Sequence, residues 1–254
     1  LCALAWFGYR VTDEWQRSAV LLVDHRSHQA ADLLTRALTR DMRGVQTSIL
    51  SSPERSQRAF EPPYEANDLV AGAFARYPYP EFLFGWAQSD RNAVVFARTD
   101  RMPPWLPTGG RTDLYPVEVV QDPPDLAPLE QRIEADVLAR RRYSIFELSI
   151  HGVPYQVIAL LSYRTTMREQ LDHVFGLAVN LTWVRNYYFG DIAQQVSELA
   201  GVNGLMFTVT DELGQHVGGT SSRHLEGPVA TRSFPVLFFD PALVAVNPPA
   251  DLTQ

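Results

Sequence analysis

The feature that most constrains this chain is a long stretch near its start with almost nothing to break a helix. Between Asp13 and Leu50 there is no proline, and the one glycine is Gly44. Most residues in this stretch are good helix formers. Five apolar residues recur at helical spacing: Leu34, Leu38, Met42, Val45 and Ile49. We therefore predict a stalk, residues 13–60, built on one long helix whose apolar stripe packs on a domain.

The residues before this stretch are apolar. Leu1–Tyr9 (LCALAWFGY) is followed at once by Arg10 and is about half the length that a membrane span requires. Trp6 and Tyr9 are rings of the kind enriched at the membrane interface. We interpret residues 1–12 as the outer end of a transmembrane helix, with a short buried element of a soluble domain as the alternative.

The composition argues against several functions. A net charge of -7 without a basic, aromatic-interleaved stripe disfavours a nucleic-acid partner. All 22 basic residues are arginine, which excludes a phosphate-loop lysine, a Schiff base and a Ser–Lys dyad within this segment. The single Cys2 permits neither an internal disulfide nor a cysteine-based zinc site. His25 and His28 have a spacing that could seat a metal, but such pairs are common by chance. We expect no catalytic residues, no metal and no cofactor in this segment.

The middle of the chain has the pattern of one antiparallel sheet. A helix is predicted over Ala66–Arg76, and two strands at hairpin spacing follow. A long proline-rich connection, Asp100–Pro128, then leads to a predicted helix over Leu129–Arg142 and three further strands. The five predicted strands are Phe82–Gln88, Asn92–Arg98, Tyr143–Ile150, Pro154–Tyr163 and Val174–Leu181. Two strands, a helical crossover and three antiparallel strands are the PAS topology, so the predicted fold class is α+β with a five-stranded PAS-like sheet.

The last part of the chain repeats the start of this pattern. Trp183–Ala200 is a predicted helix, and strands are predicted over Leu205–Thr210 and Gln215–Gly219. A later apolar run, Ser233–Phe239, is interpreted as a further strand. Residues 61–182 are therefore predicted to form one PAS-like module. Residues 183–254 are predicted to form a second module that is smaller or incomplete.

Two segments carry a resemblance to a known family. They are HVFGLAVNLTWVRNYYFGDIAQQV (173–196) and GLMFTVTDELGQHVGG (204–219), the latter with an Asp-x-x-Gly turn between two strands. With the long first helix, they resemble the double-Cache, or PAS-like, sensor domains of bacterial histidine kinases and chemoreceptors. The resemblance implies a periplasmic domain anchored in the bacterial inner membrane, a parallel homodimer, and a cytoplasmic output module outside this segment. Residues 61–182 would then be membrane-distal and residues 183–254 membrane-proximal.

The resemblance also implies where a ligand binds. Family members bind small molecules in the membrane-distal module, and one subgroup recognises amino acids through an Arg-x-Trp-Tyr type signature. The corresponding stretch here is ARTDRMPPWLP (97–107), in which the spacing differs and no tyrosine follows. Amino-acid recognition is therefore not supported, and the ligand stays open.

We select seven residues as candidate ligand contacts from strand parity and from the proline-rich connection. Aromatic rings with arginine forks suit a small anionic or amphiphilic ligand. Two alternatives remain: the rings are core residues of an interaction module without a small ligand, or the chain is a hydrolase with an unrecognised site. The seven candidates are Trp86, Phe96, Arg98, Arg101, Trp105, Tyr155 and Tyr163.

Overall fold

A computed structural model of the chain describes residues 2–50, 66–106, 116–165, 167–199, 207–219 and 229–245. The chain divides into two compact units. The first consists of Leu1–Arg40 and Phe189–Val236, and the second consists of Asp41–Tyr188 and Leu237–Gln254. The sequence placed a domain boundary before Trp183, whereas the compact units change at Phe189.

The first unit contains most of the long helix and a small hairpin. Helix α1 spans Cys2–Met42. The hairpin consists of β7 (Thr208–Thr210) and β8 (His216–Gly219), which pair antiparallel. The predicted Asp-x-x-Gly turn is present, because Asp211 Oδ1 accepts hydrogen bonds from the amides of Leu213 and Gln215 at 2.9 and 2.8 Å. Gly214 supplies the positive φ of +75° that this turn needs.

One prediction for this part of the chain is corrected, and the two helical histidines considered above are placed. Residues 233–239 are described and contain no strand. Pro235 lacks the amide that a strand ladder needs, and the Phe238 amide donates to the side chain of Gln156 at 2.7 Å. The two helical histidines have protein partners: His28 Nδ1 lies 3.2 Å from Arg232 Nη2, and His25 is hydrogen-bonded to Gln29.

No helix in the described part of the chain combines the length and the apolar character needed to cross a bilayer.

The second unit is built on an antiparallel sheet of six strands with the order β3-β2-β1-β6-β5-β4. The predicted sequence of two strands, a helical crossover and three antiparallel strands is present in one sheet. The strands are β1 (Pro80–Ala87), β2 (Asp90–Arg98), β3 (Val117–Gln121), β4 (Tyr143–Ile150), β5 (Val153–Tyr163) and β6 (Leu171–Asn180).

The predicted number of five strands was wrong because β3 lies inside the proline-rich connection. It pairs with β2 at the edge of the sheet, with Phe96 opposite Val119. Pro116 precedes β3, and Pro123 and Pro124 follow it. A short strand bounded by prolines is tolerated at a sheet edge, where one side of the backbone is unpaired. The prolines on both sides of β3 are also typical of a loop, and for this reason the strand was not predicted.

The described residues also form short helices and helical turns. They are a π-helical turn (Gln46–Leu50), α2 (Ala66–Arg76), a 3-10 turn (Pro124–Leu126), α3 (Ala127–Leu138), α4 (Leu181–Trp183), a second π-helical turn (Val184–Tyr188), α5 (Phe189–Leu199, in the first unit) and α6 (Ala242–Ala245). Leu126, Leu129 and Ile133 are fully buried in the apolar cluster that covers one face of the sheet. These residues therefore bury the sheet face that carries Phe82, Phe84 and Trp86.

The stalk helix was predicted to continue to about Leu50; α1 ends at Met42, and after Arg43 helical backbone continues to Leu50, with a π-helical turn over its last five residues. The Val45 amide donates to the hydroxyl oxygen of Tyr79 at 3.0 Å. A side chain inserted at a helical hydrogen-bonding position interrupts the helix. The insertion explains why the predicted helical stretch is interrupted after Met42.

A central glycine gives a test of how tightly the sheet is packed. A Cβ atom at Gly176 on β6 would lie 2.5 Å from Phe84 Cζ and 2.8 Å from the carbonyl oxygen of Ile158. We expect Gly176→Ala to lower the free energy of unfolding by roughly 1–3 kcal/mol, measured by urea titration. The control is Gly72→Ala on α2, where a Cβ meets nothing within 4 Å and helix propensity gains about 0.5–1 kcal/mol. Equal effects of the two substitutions would contradict this packing.

Candidate functional site

The seven candidate residues lie on different sides of the sheet. Phe82 pairs with Ala97, whereas Phe96 pairs with the neighbouring Leu83. Because paired residues in antiparallel strands point to the same side, Phe96 and Arg98 lie on the opposite face from Phe82. Trp86, Tyr155 and Tyr163 lie on the same face as Phe82, and together with Trp105 from the loop after β2 they pack in or against one apolar cluster. The structure therefore does not bring all seven together.

Arg98 holds the end of β2 against the last turn of α2 and the residue that follows it. Its Nη1 donates to the carbonyl oxygens of Phe74 and Tyr77 at 3.1 and 3.2 Å. Its Nε and Nη2 donate to the two oxygens of Asp100 at 2.9 and 3.1 Å, and this pairing lowers the pKa of Asp100. These donors are thus engaged within the protein.

A buried polar group of residues lies where β1 begins. Glu81 is 2% exposed, and the β1–β6 register shifts between Pro80 and Phe82. One oxygen of Glu81, Oε2, accepts a hydrogen bond from the Tyr155 hydroxyl at 2.5 Å. The other, Oε1, accepts from the Asn180 side-chain amide at 2.9 Å. The Tyr155 hydroxyl in turn accepts from Trp105 Nε1 at 3.3 Å.

Arg101 covers this group from the loop after β2. Its Nη2 donates to the carbonyl oxygens of Pro78 and Pro80 at 2.8 and 3.2 Å. Its guanidinium carbon lies 3.7 Å from the centre of the Trp183 ring, and its Nε lies 3.7 Å from Glu81 Oε1. That Nε is buried, and no described residue accepts a hydrogen bond from it. We call this assembly the Glu81 cluster: Glu81, Arg101, Trp105, Tyr155, Asn180 and Trp183.

Burial dominates the electrostatics of the Glu81 cluster. Burial lowers the pKa of Arg101 to about 10; the charge of Arg98 acts in the same direction, and Glu81 opposes it. Burial also raises the pKa of Tyr155 far above its usual value, and the neighbouring Glu81 charge raises it further. At neutral pH Arg101 is therefore a cation and Tyr155 a neutral donor.

The arrangement around Arg101 is one that accepts a cation. A carboxylate, two backbone carbonyls and the face of an indole ring all offer negative potential. Among the described residues, no group of three or more His, Cys, Asp and Glu side chains could hold a metal ion. In this structure the cation in the acceptor site is Arg101 itself.

Half of this cluster was predicted from the sequence. Arg101, Trp105 and Tyr155 were selected, whereas Glu81, Asn180 and Trp183 were not. Glu81 did carry a signal, since it is the one charged residue in the otherwise apolar strand PEFLFGWA. Charged residues are almost never fully buried unless paired, so an acid inside such a strand indicates buried partners.

Comparison with known proteins gives a low structural likeness and no family. No protein-family model matches the chain, and no curated protein matches it. Among solved structures, the periplasmic sensory domain of the Campylobacter jejuni chemoreceptor Tlp1 is similar, with 13% sequence identity and a TM-score of 0.34. The alignment covers 82% of this chain and 74% of that chain. At these values the likeness identifies neither a family nor a ligand for this chain.

Removal of one hydroxyl tests the hydrogen bonds of the cluster. Tyr155→Phe leaves Glu81 Oε2 without its donor and Trp105 Nε1 without its acceptor. We expect a loss of about 1–3 kcal/mol in the free energy of unfolding, because buried polar groups that lose their partners keep their desolvation penalty. The matched control is Tyr163→Phe, whose half-buried hydroxyl donates to the Arg141 carbonyl and should cost less. A smaller loss for Tyr155→Phe than for the control would overturn the assigned network.

Proposed function

We propose that this chain is the extracytoplasmic sensory domain of a membrane-anchored bacterial receptor, and that its ligand binds at the Glu81 cluster. The observation that carries the proposal is Arg101, a partly buried side chain whose buried Nε lies 3.7 Å from Glu81 Oε1 but donates no hydrogen bond to a described residue. An unpaired buried polar group lowers stability, so packing alone does not account for it. Buried charges of this kind cluster at functional sites.

The geometry favours a cationic ligand. The donors of Arg98 and Arg101 are largely bonded to backbone carbonyls and to Asp100, so an anion would have to compete with these partners. A guanidinium or ammonium compound would instead replace Arg101 between Glu81 and the ring of Trp183. Such a ligand takes over the acceptors at Glu81 and the Trp183 ring while it displaces Arg101 from them.

The remaining parts of the proposal follow the resemblance stated above. The segment would lie in the periplasm, and a receptor of the histidine-kinase or chemoreceptor type would carry the output beyond it. We expect no catalytic activity from this segment. Ligand binding would signal through its different affinities for two arrangements of the domain, since tight binding alone shifts no equilibrium.

A second candidate function is a protein-interaction or dimerisation module without a small ligand. The observation that favours it is a set of exposed apolar side chains on α1: Leu21, Leu22, Val23 and Leu33. Exposed apolar patches are typical of interaction surfaces. Sedimentation of the Leu22→Glu, Leu33→Glu double variant tests this candidate: we expect loss of a self-associated species, and an unchanged sedimentation coefficient would count against it.

A thermal-shift panel tests the cationic ligand. The cations are methylguanidine, agmatine, putrescine and choline, and the matched anions are acetate, succinate and benzoate. A cation present at about 100 times its Kd stabilises by about 2.7 kcal/mol, which corresponds to roughly 5–10 °C in Tm for a domain of this size. We expect such a shift for at least one cation and none for the anions.

Two charge-removing variants serve as controls for the panel. Glu81→Gln removes the negative charge that faces the cation and should abolish the shift. Glu147→Gln removes an exposed charge on β4 and should leave it intact. Shifts produced by anions alone, or a cation shift that survives Glu81→Gln, would refute binding of a cation at this site.

A further inference from the structure

We propose that the hydroxyl of Tyr79 couples the Glu81 cluster to the end of helix α1, so that displacement of Arg101 changes the hydrogen bonding of that helix end. The inference rests on the proposed function in one respect, namely that a ligand displaces Arg101. The coupling itself is read from contacts within the second unit, and these contacts meet at Asp41.

The Tyr79 hydroxyl occupies a position inside the helical ladder. It donates to the carbonyl oxygen of Asp41 at 3.1 Å and accepts from the amide of Val45 at 3.0 Å. These two backbone groups are four residues apart, and an uninterrupted α-helix would pair them directly. Tyr79 is fully buried, and burial raises its pKa well above the usual value. The group therefore stays a neutral hydroxyl that both donates and accepts.

The first connection between Arg101 and the helix end runs along the backbone. Arg101 Nη2 binds the carbonyl oxygens of Pro78 and Pro80, the residues on either side of Tyr79. Proline fixes its own φ and restricts the residue before it. The segment Pro78–Pro80 is thus stiff, and a shift of the carbonyls that Arg101 holds moves the Tyr79 ring with them.

The second connection runs through aromatic residues. The Arg101 guanidinium stacks on Trp183, which directly precedes the π-helical turn Val184–Tyr188. The hydroxyl of Tyr188, at the end of that turn, donates to Asp41 Oδ2 at 2.6 Å. Tyr188 also packs edge-on against Tyr79 with ring centres 5.8 Å apart. Both connections therefore end on Asp41, one on its carbonyl oxygen and one on its carboxylate.

Two states of the helix end follow from this geometry. With Arg101 in place, the Tyr79 hydroxyl is inserted between Asp41 and Val45, and α1 stops at Met42. When Arg101 leaves, the hydroxyl is free to withdraw, and the Val45 amide pairs directly with the Asp41 carbonyl. A ligand that binds only after Arg101 has moved would favour the second state, which is the requirement for signalling.

A double-mutant cycle measured by amide hydrogen exchange tests the coupling without any ligand. The four proteins are the wild type, Tyr79→Phe, Arg101→Ala and the double variant, and the readout is the exchange rate of amides 41–50. We expect Arg101→Ala to change the Val45 rate by about fivefold, because the acceptor of that amide changes from the Tyr79 hydroxyl to the Asp41 carbonyl oxygen. In the Tyr79→Phe background, Arg101→Ala should leave that rate unchanged.

Matched variants separate coupling from general loss of stability. Tyr163→Phe removes a hydroxyl that donates to the Arg141 carbonyl and should not alter amides 41–50. Arg101→Lys keeps the positive charge but lacks the planar guanidinium that donates to two carbonyls, and it should give an intermediate rate for Val45. If Arg101→Ala alters the rates equally in both backgrounds, or alters none of them, the coupling through Tyr79 is overturned.

The cycle and the ligand panel fail independently. A flat panel together with a non-additive cycle would refute the cationic ligand and leave the coupling in place. A cation that binds and raises Tm, together with an additive cycle, would refute the coupling and leave the binding site in place.

Discussion

A carboxyl group that is cut off from water must be hydrogen-bonded, and the organisation of the site depends on how Glu81 meets this requirement. Its two oxygens accept from Tyr155 on β5 and from Asn180 at the end of β6. A buried charge without partners would cost several kcal/mol, so the ends of three strands are held together here. Arg101 and Trp105 then close the polar group from the loop side.

The same interaction links sheet and helix. The side chain that covers Glu81 also holds the carbonyls flanking Tyr79, and Tyr79 reaches the backbone at Asp41 in α1 and at Val45 just beyond it. Close-packed rings of Tyr79, Tyr188 and Phe238 fill the space between these groups. Interiors packed in this way have discrete arrangements and do not deform continuously. A small change at Arg101 is therefore expected to appear as a change of state at the helix end.

Local patterns predicted much of the fold, because they are properties of neighbouring residues. The helix Ala66–Arg76 and the strand Tyr143–Ile150 have the bounds that spacing and composition indicated. Strand β3 was missed since its prolines match a loop as well as an edge strand. The end of α1 was missed since the group that interrupts it, Tyr79, is more than 30 residues further along the chain.

The candidate site was less predictable than the fold for the same reason. Strand parity grouped residues within each strand, but it carried no information on the pairing of Leu83 with Phe96, which puts Phe96 on the opposite face from Trp86 and Tyr155. Glu81 and Asn180 are hydrogen-bonded although 99 residues separate them in the sequence, and no short-range pattern predicts that contact. Buried polar partners are set by tertiary structure, so they appear only when the strands are assembled.

The most direct test of the central claim is the detection of hydrogen bonds by long-range scalar coupling in the deuterated wild-type protein. Couplings between amide nitrogens and carbonyl carbons four residues apart should be seen in α1 before Asp41. The account predicts no such coupling between the Val45 nitrogen and the Asp41 carbonyl carbon, because the Tyr79 hydroxyl lies between these groups. A clear Val45–Asp41 coupling in the wild type would contradict it.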